Sequence, residues 1–133
     1  MAETRQQQPI PTLQDLPAPV GEALAALDEH KAQNTVVLDM RTVSNFTDFM
    51  IVTTGRSEPH VMALVEAVAE RLAASSIKAR HVEGRAPASW ILLDYLDLVV
   101  HVLTPEARQF YQLEKLWRDA PLLEWHEDSD TSE

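Results

Sequence analysis

Residues 89–117, SWILLDYLDLVVHVLTPEARQFYQLEKLW, decide the fold. Two runs dense in branched and aromatic side chains, 90–95 and 98–103, flank Leu96-Asp97, a pattern that predicts two consecutive strands joined by a tight turn. The second run, LVVHVL, lacks polar alternation, as expected of a central strand covered on both faces. Thr104-Pro105-Glu106 then starts a helix: a capping hydroxyl, a proline pre-set for the first turn and an acid near the positive helix end. Carried to about Arg118, that helix has Ala107, Phe110, Tyr111, Leu113 and Trp117 on its apolar arc. Glu114 projects into the same arc and needs a partner there, either Arg118 one turn on or a core group such as His101.

Upstream of this stretch the punctuation is clear. Segments 35–41 and 46–54 read as strands around the turn-prone Ser44-Asn45, which predicts a β-hairpin. Gly55 ends the second strand, Ser57 caps the next helix and Pro59 lies in its first turn. The helix runs to about Ser75, with Val61, Leu64, Val65, Val68 and Leu72 in one arc and Glu66 and Glu70 opposite. Residues 77–82 form a further strand and 83–87 a loop. Near the start, Pro19 opens a short amphipathic helix through Val20, Ala23, Leu24 and Leu27 to Lys31. The order α-β-β-α-β-β-β-α predicts an α/β fold: a single domain, 19–120, with a mixed β-sheet of about five strands flanked by helices. Residues 1–18, with Pro9, Pro11 and Pro17, read as a flexible arm, and 121–133 as a flexible acidic tail.

The 133 residues carry a formal net charge of −10, and the segment 121–133 contributes five acids and no Lys or Arg. Without that segment and the first nineteen residues, 14 acids face 10 bases. Such a surface is repelled by phosphate backbones, so the chain is a poor direct nucleic-acid binder and a suitable partner for a basic protein. The absence of cysteine removes disulfides and thiolate metal sites. With no secretory-type leader and no long apolar window, the expected location is the cytoplasm.

Chemistry-bearing patterns are sparse. Gly55-Arg56-Ser57, between strand and helix, resembles the glycine-serine element with which nucleotidyltransferases receive a phosphate. That chemistry also needs two acids one residue apart on a strand, facing one metal pair. Asp94 and Asp97 are three apart across a turn and Glu66 and Glu70 sit on a helix, so no catalytic residue is assigned. The histidines (His30, His60, His81, His101, His126) contain no pair at helical ligand spacing, which leaves no metal site and no cofactor expected. His101, inside an apolar strand, reads as a hydrogen-bonded core residue. Trp90 opens a strand directly after a polar loop and reads either as a half-exposed interface anchor or as a core tryptophan at the sheet margin. Asp94, Tyr95 and Asp97 read as the polar rim of an interface or as solvated turn residues.

Several segments together resemble the ribosomal silencing factors, the RsfS or Iojap-like family: NFTDFMIVTTGRS at 45–57, HVEG at 81–84, SWILLDY at 89–95, VVHV at 99–102 and YQLEKLW at 111–117. The resemblance covers about residues 20–120. It implies a nucleotidyltransferase-like fold without the catalytic acids, and hence a non-enzymatic factor. It further implies binding to large-subunit ribosomal protein fourteen, a steric block to subunit joining when nutrients are scarce, and a homodimer. A partner-binding surface is expected at Trp90, Leu93, Asp94, Tyr95 and Asp97. The family usually has glycine where this chain has Leu96, so a wider or less strained turn is expected there. The alternative is a nucleotide-binding module or nucleotidyltransferase-like enzyme using the 55–57 turn.

Overall fold

The computed structural model describes residues 16–84 and 88–125. Helix α1, Ala18–Glu29, begins behind Pro17 and buries Val20, Ala23, Leu24, Ala26 and Leu27, the face its periodicity predicts. Strands β1, Gln33–Asp39, and β2, Phe49–Thr54, pair antiparallel with Val37 opposite Ile51. Helix α2, Glu58–Ala74, is capped by Ser57, whose hydroxyl accepts from the His60 N–H at 3.3 Å, and buries all five residues of the expected arc. Strand β3, His81–Glu83, is short and exposed; β4, Trp90–Asp94, and β5, Leu98–Leu103, form the antiparallel pair read from the deciding stretch. Strand β5 returns parallel to β2, with His101 beside Val52, so α2 lies in the crossover.

The sheet has six strands in the order β3-β4-β5-β2-β1-β6. The sixth, β6, is Leu122–Trp125, antiparallel to β1 with Leu123 opposite Val37. Residues 122–125 therefore extend the sheet, although the sequence reading placed them in the tail. A four-residue run between a proline and a block of acids carries too little periodicity to announce a strand, and its partner is remote in sequence. The rest of the tail and most of the arm lie outside the described residues.

One face of the sheet is covered by α1 and α2. Their apolar arcs meet Val37, Phe49, Ile51, Ile91, Leu93, Tyr95, Leu98, Val100 and Val102 in the main core. The other face is covered only in part, by the C-terminal segment, where Leu113 and Ala120 pack on Val36, Leu38, Met50, Val52 and Leu103 with Trp90 and Trp117 alongside.

That C-terminal segment departs from the single helix expected. Helix α3, Pro105–Tyr111, is capped by the Thr104 hydroxyl and ends at Gln112, whose φ of 50° is left-handed; α4, Leu113–Leu116, follows in a new direction. The break leaves Phe110 and Tyr111 at the end of α3, 78% and 46% exposed, where the expected arc has them buried. It also decides the partner of Glu114, which is neither Arg118 nor His101. The Arg108 guanidinium donates to Glu114 Oε2 through Nε at 3.0 Å and also through Nη2, and its Nη1 donates to Thr54 Oγ1 at 2.9 Å. One arginine thus ties both short helices to the end of β2. Burial pushes the Glu114 carboxyl up, but the Arg108 bonds and charge, together with the Glu114 backbone N–H, outweigh it and hold the group below its usual range.

The turn at Leu96 is tight, contrary to the relaxed turn expected. Leu96 has φ 81°, the Asp97 N–H donates back to the Tyr95 carbonyl at 3.0 Å, and the Tyr95 N–H donates to the Leu98 carbonyl at 2.8 Å. An i to i+2 bond around a positive φ is the strained form of the γ-turn, a geometry glycine accepts more readily than leucine.

Candidate protein-docking site

Alternation along β4 sends Trp90, Leu92 and Asp94 to the partly covered face and Ile91 and Leu93 to the helices. Across the ladder, Leu103, His101 and Val99 stand opposite the first three. The Trp90 indole N–H donates to His101 Nδ1 at 3.0 Å, and the two rings lie 5.8 Å apart. Tyr111 stacks 4.4 Å from Trp90, and Phe110 meets Tyr111 edge-on at 4.9 Å. A row of four aromatic rings therefore runs from the buried His101 to the exposed Phe110. Gly84 supports its inner end, because a Cβ there would stand 2.2 Å from the Trp90 carbonyl oxygen, and its φ of 96° suits glycine.

The five residues expected to bind a partner thus divide. Trp90 is half-buried on the partly covered face, with Asp94 on the same side. The Asp94 carboxylate accepts from the Leu96 N–H at 2.8 Å and so supports the turn. Asp97 is exposed, and its carbonyl accepts from the Asp48 and Phe49 N–H groups, which joins the turn to the start of β2. Leu93 and Tyr95 are 1% and 9% exposed and belong to the main core beneath α1 and α2, so they cannot touch a partner that Trp90 touches. Burial accordingly pushes the Tyr95 phenol up.

Beside the aromatic row is a groove of about 420 Å³ that sequence reasoning missed. Leu92, Val99 and His101 form its sheet side, Met40, Met50 and the 43–47 loop its far wall, and Trp117 its flank. Phe46, expected in a strand, sits in that loop at 88% exposure. The only advance signal was the lack of polar residues at Leu92 and Val99. Asp48, Asp94 and Asp97 do not line the groove; they sit where the β1–β2 and β4–β5 turns meet, the Asp48 N–H donating to the Asp97 carbonyl and Asp94 standing across the ladder from the lining residue Val99. Nearby Arg41 is already engaged: its guanidinium pairs with Asp39 at 2.6 Å and lies over the Phe49 ring, and that bond holds the Asp39 carboxyl below its usual range.

The 55–57 turn is occupied by its own side chains. The Arg56 N–H donates to His60 Nδ1 at 2.8 Å, and His60 Nε2 donates to the His30 carbonyl at 2.8 Å. The N–H groups of Gly55, Arg56 and His60 are therefore satisfied within the chain. Gly55 is required for packing, since a Cβ would come within 2.9 Å of the Val61 nitrogen. Among the described residues no three His, Asp or Glu side chains are grouped to hold a metal, and no helix is long and apolar enough to cross a membrane.

A family described as "Ribosomal silencing factor during starvation" matches residues 13–133. The chain belongs to this family. It is 38% identical over 102 residues to the ribosomal silencing factor RsfS of Halalkalibacterium halodurans, covering 77% of this chain and 87% of the relative. The RsfS of Bacillus subtilis is 37% identical over 100 residues, covering 75% and 85%. A crystal structure of a protein from Chromobacterium violaceum superposes with a TM-score of 0.74 at 31% identity, covering 81% of this chain and 88% of that one. A second, from Bacillus halodurans, gives 0.70 at 35% identity, covering 80% and 96%. The mixed α/β sheet is thus shared with solved relatives, and the chain is a silencing-factor homologue over most of its length.

Proposed function

We propose that this ribosomal silencing factor docks on large-subunit ribosomal protein fourteen through the partly covered sheet face and sterically prevents the small subunit from joining, repressing translation when nutrients are scarce. The observation that carries this reading is a mainly apolar groove beside an aromatic row, with acidic residues on the adjoining turns. Apolar and aromatic surface supplies affinity once desolvated, and an acidic rim on a chain of net charge −10 steers it toward a basic partner and away from bare RNA. Blocking requires only affinity and bulk. Turnover would need a positioned acid, base or metal, and the best candidate for a phosphate turn is filled by His60. The chain therefore acts by occupancy, in the compartment that holds its ribosomes.

Order of addition tests this. In a reconstituted system, the protein added to separate subunits should suppress translation, while the same amount added to joined ribosomes should do much less. Equal inhibition in both orders would refute a steric block.

A further inference from the structure

Phe46 is 88% exposed, although a phenyl ring is among the larger apolar groups a chain can bury, and the residue stands on the wall of the groove. Burying such a ring is a gain that the free chain forgoes. The exposure is not that of a slack loop. The Val43 and Ser44 N–H groups donate to the Met40 carbonyl at 3.1 and 3.0 Å, and the Phe46 N–H donates to Ser44 Oγ at 2.9 Å. The buried Thr47 hydroxyl donates to the Phe49 carbonyl at 3.2 Å, and the Met40 N–H closes the base on the Asp48 carbonyl at 2.8 Å. A ring carried on a loop stapled at base and tip is preorganised, because a partner that buries it need not also order the backbone beneath it. The loop abuts the β4–β5 turn through the Asp48 N–H and the Asp97 carbonyl, whereas Trp90 starts β4 at the other end of the strand from Asp94, roughly 13 Å away at about 3.3 Å per residue. Exposed aromatic surface therefore stands at both ends of the docking face, Phe46 at one and Tyr111 and Phe110 beside Trp90 at the other.

We infer that Phe46 is the second anchor of the docking face: its ring inserts into an apolar cleft, bordered by lysine or arginine, on the basic ribosomal protein that docks there. This rests on the proposed docking and adds where the partner is gripped and by what kind of surface. Asp48 and Asp97 are exposed on the turns that adjoin the loop, and Arg41 at its base is paired with Asp39, so the charge left around the ring is negative. A cleft edged by cations matches that setting, and one edged by acids is repelled. A second copy of this chain is disfavoured as the occupant for the same reason, since a two-fold contact through Phe46 would bring each copy's Asp48 and Asp97 toward their counterparts. Bare RNA offers no such cleft, and its phosphates meet the same carboxylates. Affinity at this end comes from burial of the ring, and the charges around it exclude wrong partners.

The test compares the unaltered full chain with Phe46→Ala and Phe46→Leu. Because the residue is 88% exposed, both variants should keep the urea midpoint of the unaltered chain, which confines the effect to binding. Affinity for isolated large ribosomal subunits, read by sedimentation, should fall about thirtyfold in Phe46→Ala and by much less in Phe46→Leu. The loss should persist as salt rises, since apolar burial is not screened. Equal affinity of Phe46→Ala and the unaltered chain, or a loss that fades with salt, would overturn the inference and leave the docking proposal standing. A large drop in the urea midpoint would overturn it too, by placing the ring in the fold. If the unaltered chain binds no large subunits, the docking proposal fails and this inference with it. A dimer of the free chain that Phe46→Ala dissolves while large-subunit binding is kept would assign the ring to a second copy and refute the cleft.

Discussion

Replacing Leu96 by alanine and by glycine separates what its side chain contributes from what its backbone withstands. The residue holds φ 81° in a γ-turn, with its side chain 49% exposed. Full burial of a leucine is worth about 1.5–3 kcal/mol, so truncating this half-exposed one to alanine removes roughly 1 kcal/mol and leaves the left-handed strain in place. Glycine removes that strain, worth about 1–2 kcal/mol, and gives back about 0.4–1 kcal/mol through its freer unfolded chain. Leu96→Gly should therefore be more stable than Leu96→Ala by roughly 1 kcal/mol, or about 5 °C in Tm for a domain near this size, and close to the unaltered protein. Urea and thermal unfolding of the three proteins measure it. The bonds that shape the turn come from the main chain and Asp94, so docking should survive both changes. An alanine variant as stable as the glycine variant would show that the turn bears no strain, and the reasoning would fall.

His101 makes stability depend on pH. Burial lowers its ionisation to about 4 from 6.5, so between those values the unfolded chain holds the extra proton and stability falls as the pH drops, by up to about 3 kcal/mol. Urea titrations should show this slope in the unaltered chain and lose it in His101→Gln. Glu114, held below its usual range, adds stability that is present above the ordinary carboxylate value and lost as pH falls through its lower folded value. Glu114→Gln should cost about 1–2 kcal/mol at neutral pH, a moderate figure because the pair is partly solvated. Ending the chain at Ala120 should lower Tm relative to ending it at Trp125, since only the longer chain supplies β6 to the β1 edge. Asp97→Lys should weaken docking on large subunits without unfolding the protein, and the loss should shrink as salt rises.

What was legible in the sequence was what repeats locally. The arcs of α1 and α2, the capped starts at Ser57 and Thr104 and the β4–β5 pair all follow from short-range periodicity and turn chemistry. The features missed are those set by distant contacts or by one unusual backbone angle. Gln112 is neither glycine nor asparagine, so nothing marked it as the left-handed residue that breaks the last helix after Tyr111. The docking residues expected from the sequence all fall within 90–97, and the pleat divides that segment between two faces; Leu93 and Tyr95 lie in the core, while Leu92, outside the expected set, lines the groove. The groove itself assembles from the 43–47 loop, the central strands and Trp117, three segments that no local pattern relates.

Strand β6 adds a temporal constraint to this architecture. It is the last element of the described chain, yet it completes the sheet beside β1, near the beginning, and its entry is fixed by the Asp39 N–H donating to the Pro121 carbonyl. Trp117, a flank of the groove, belongs to the same late segment. During synthesis these residues leave the ribosome after every other part of the sheet has emerged, so a growing chain presents an unfinished edge and an open-sided groove. Any docking that uses the groove therefore waits until the segment carrying Trp117 and β6 has emerged and packed.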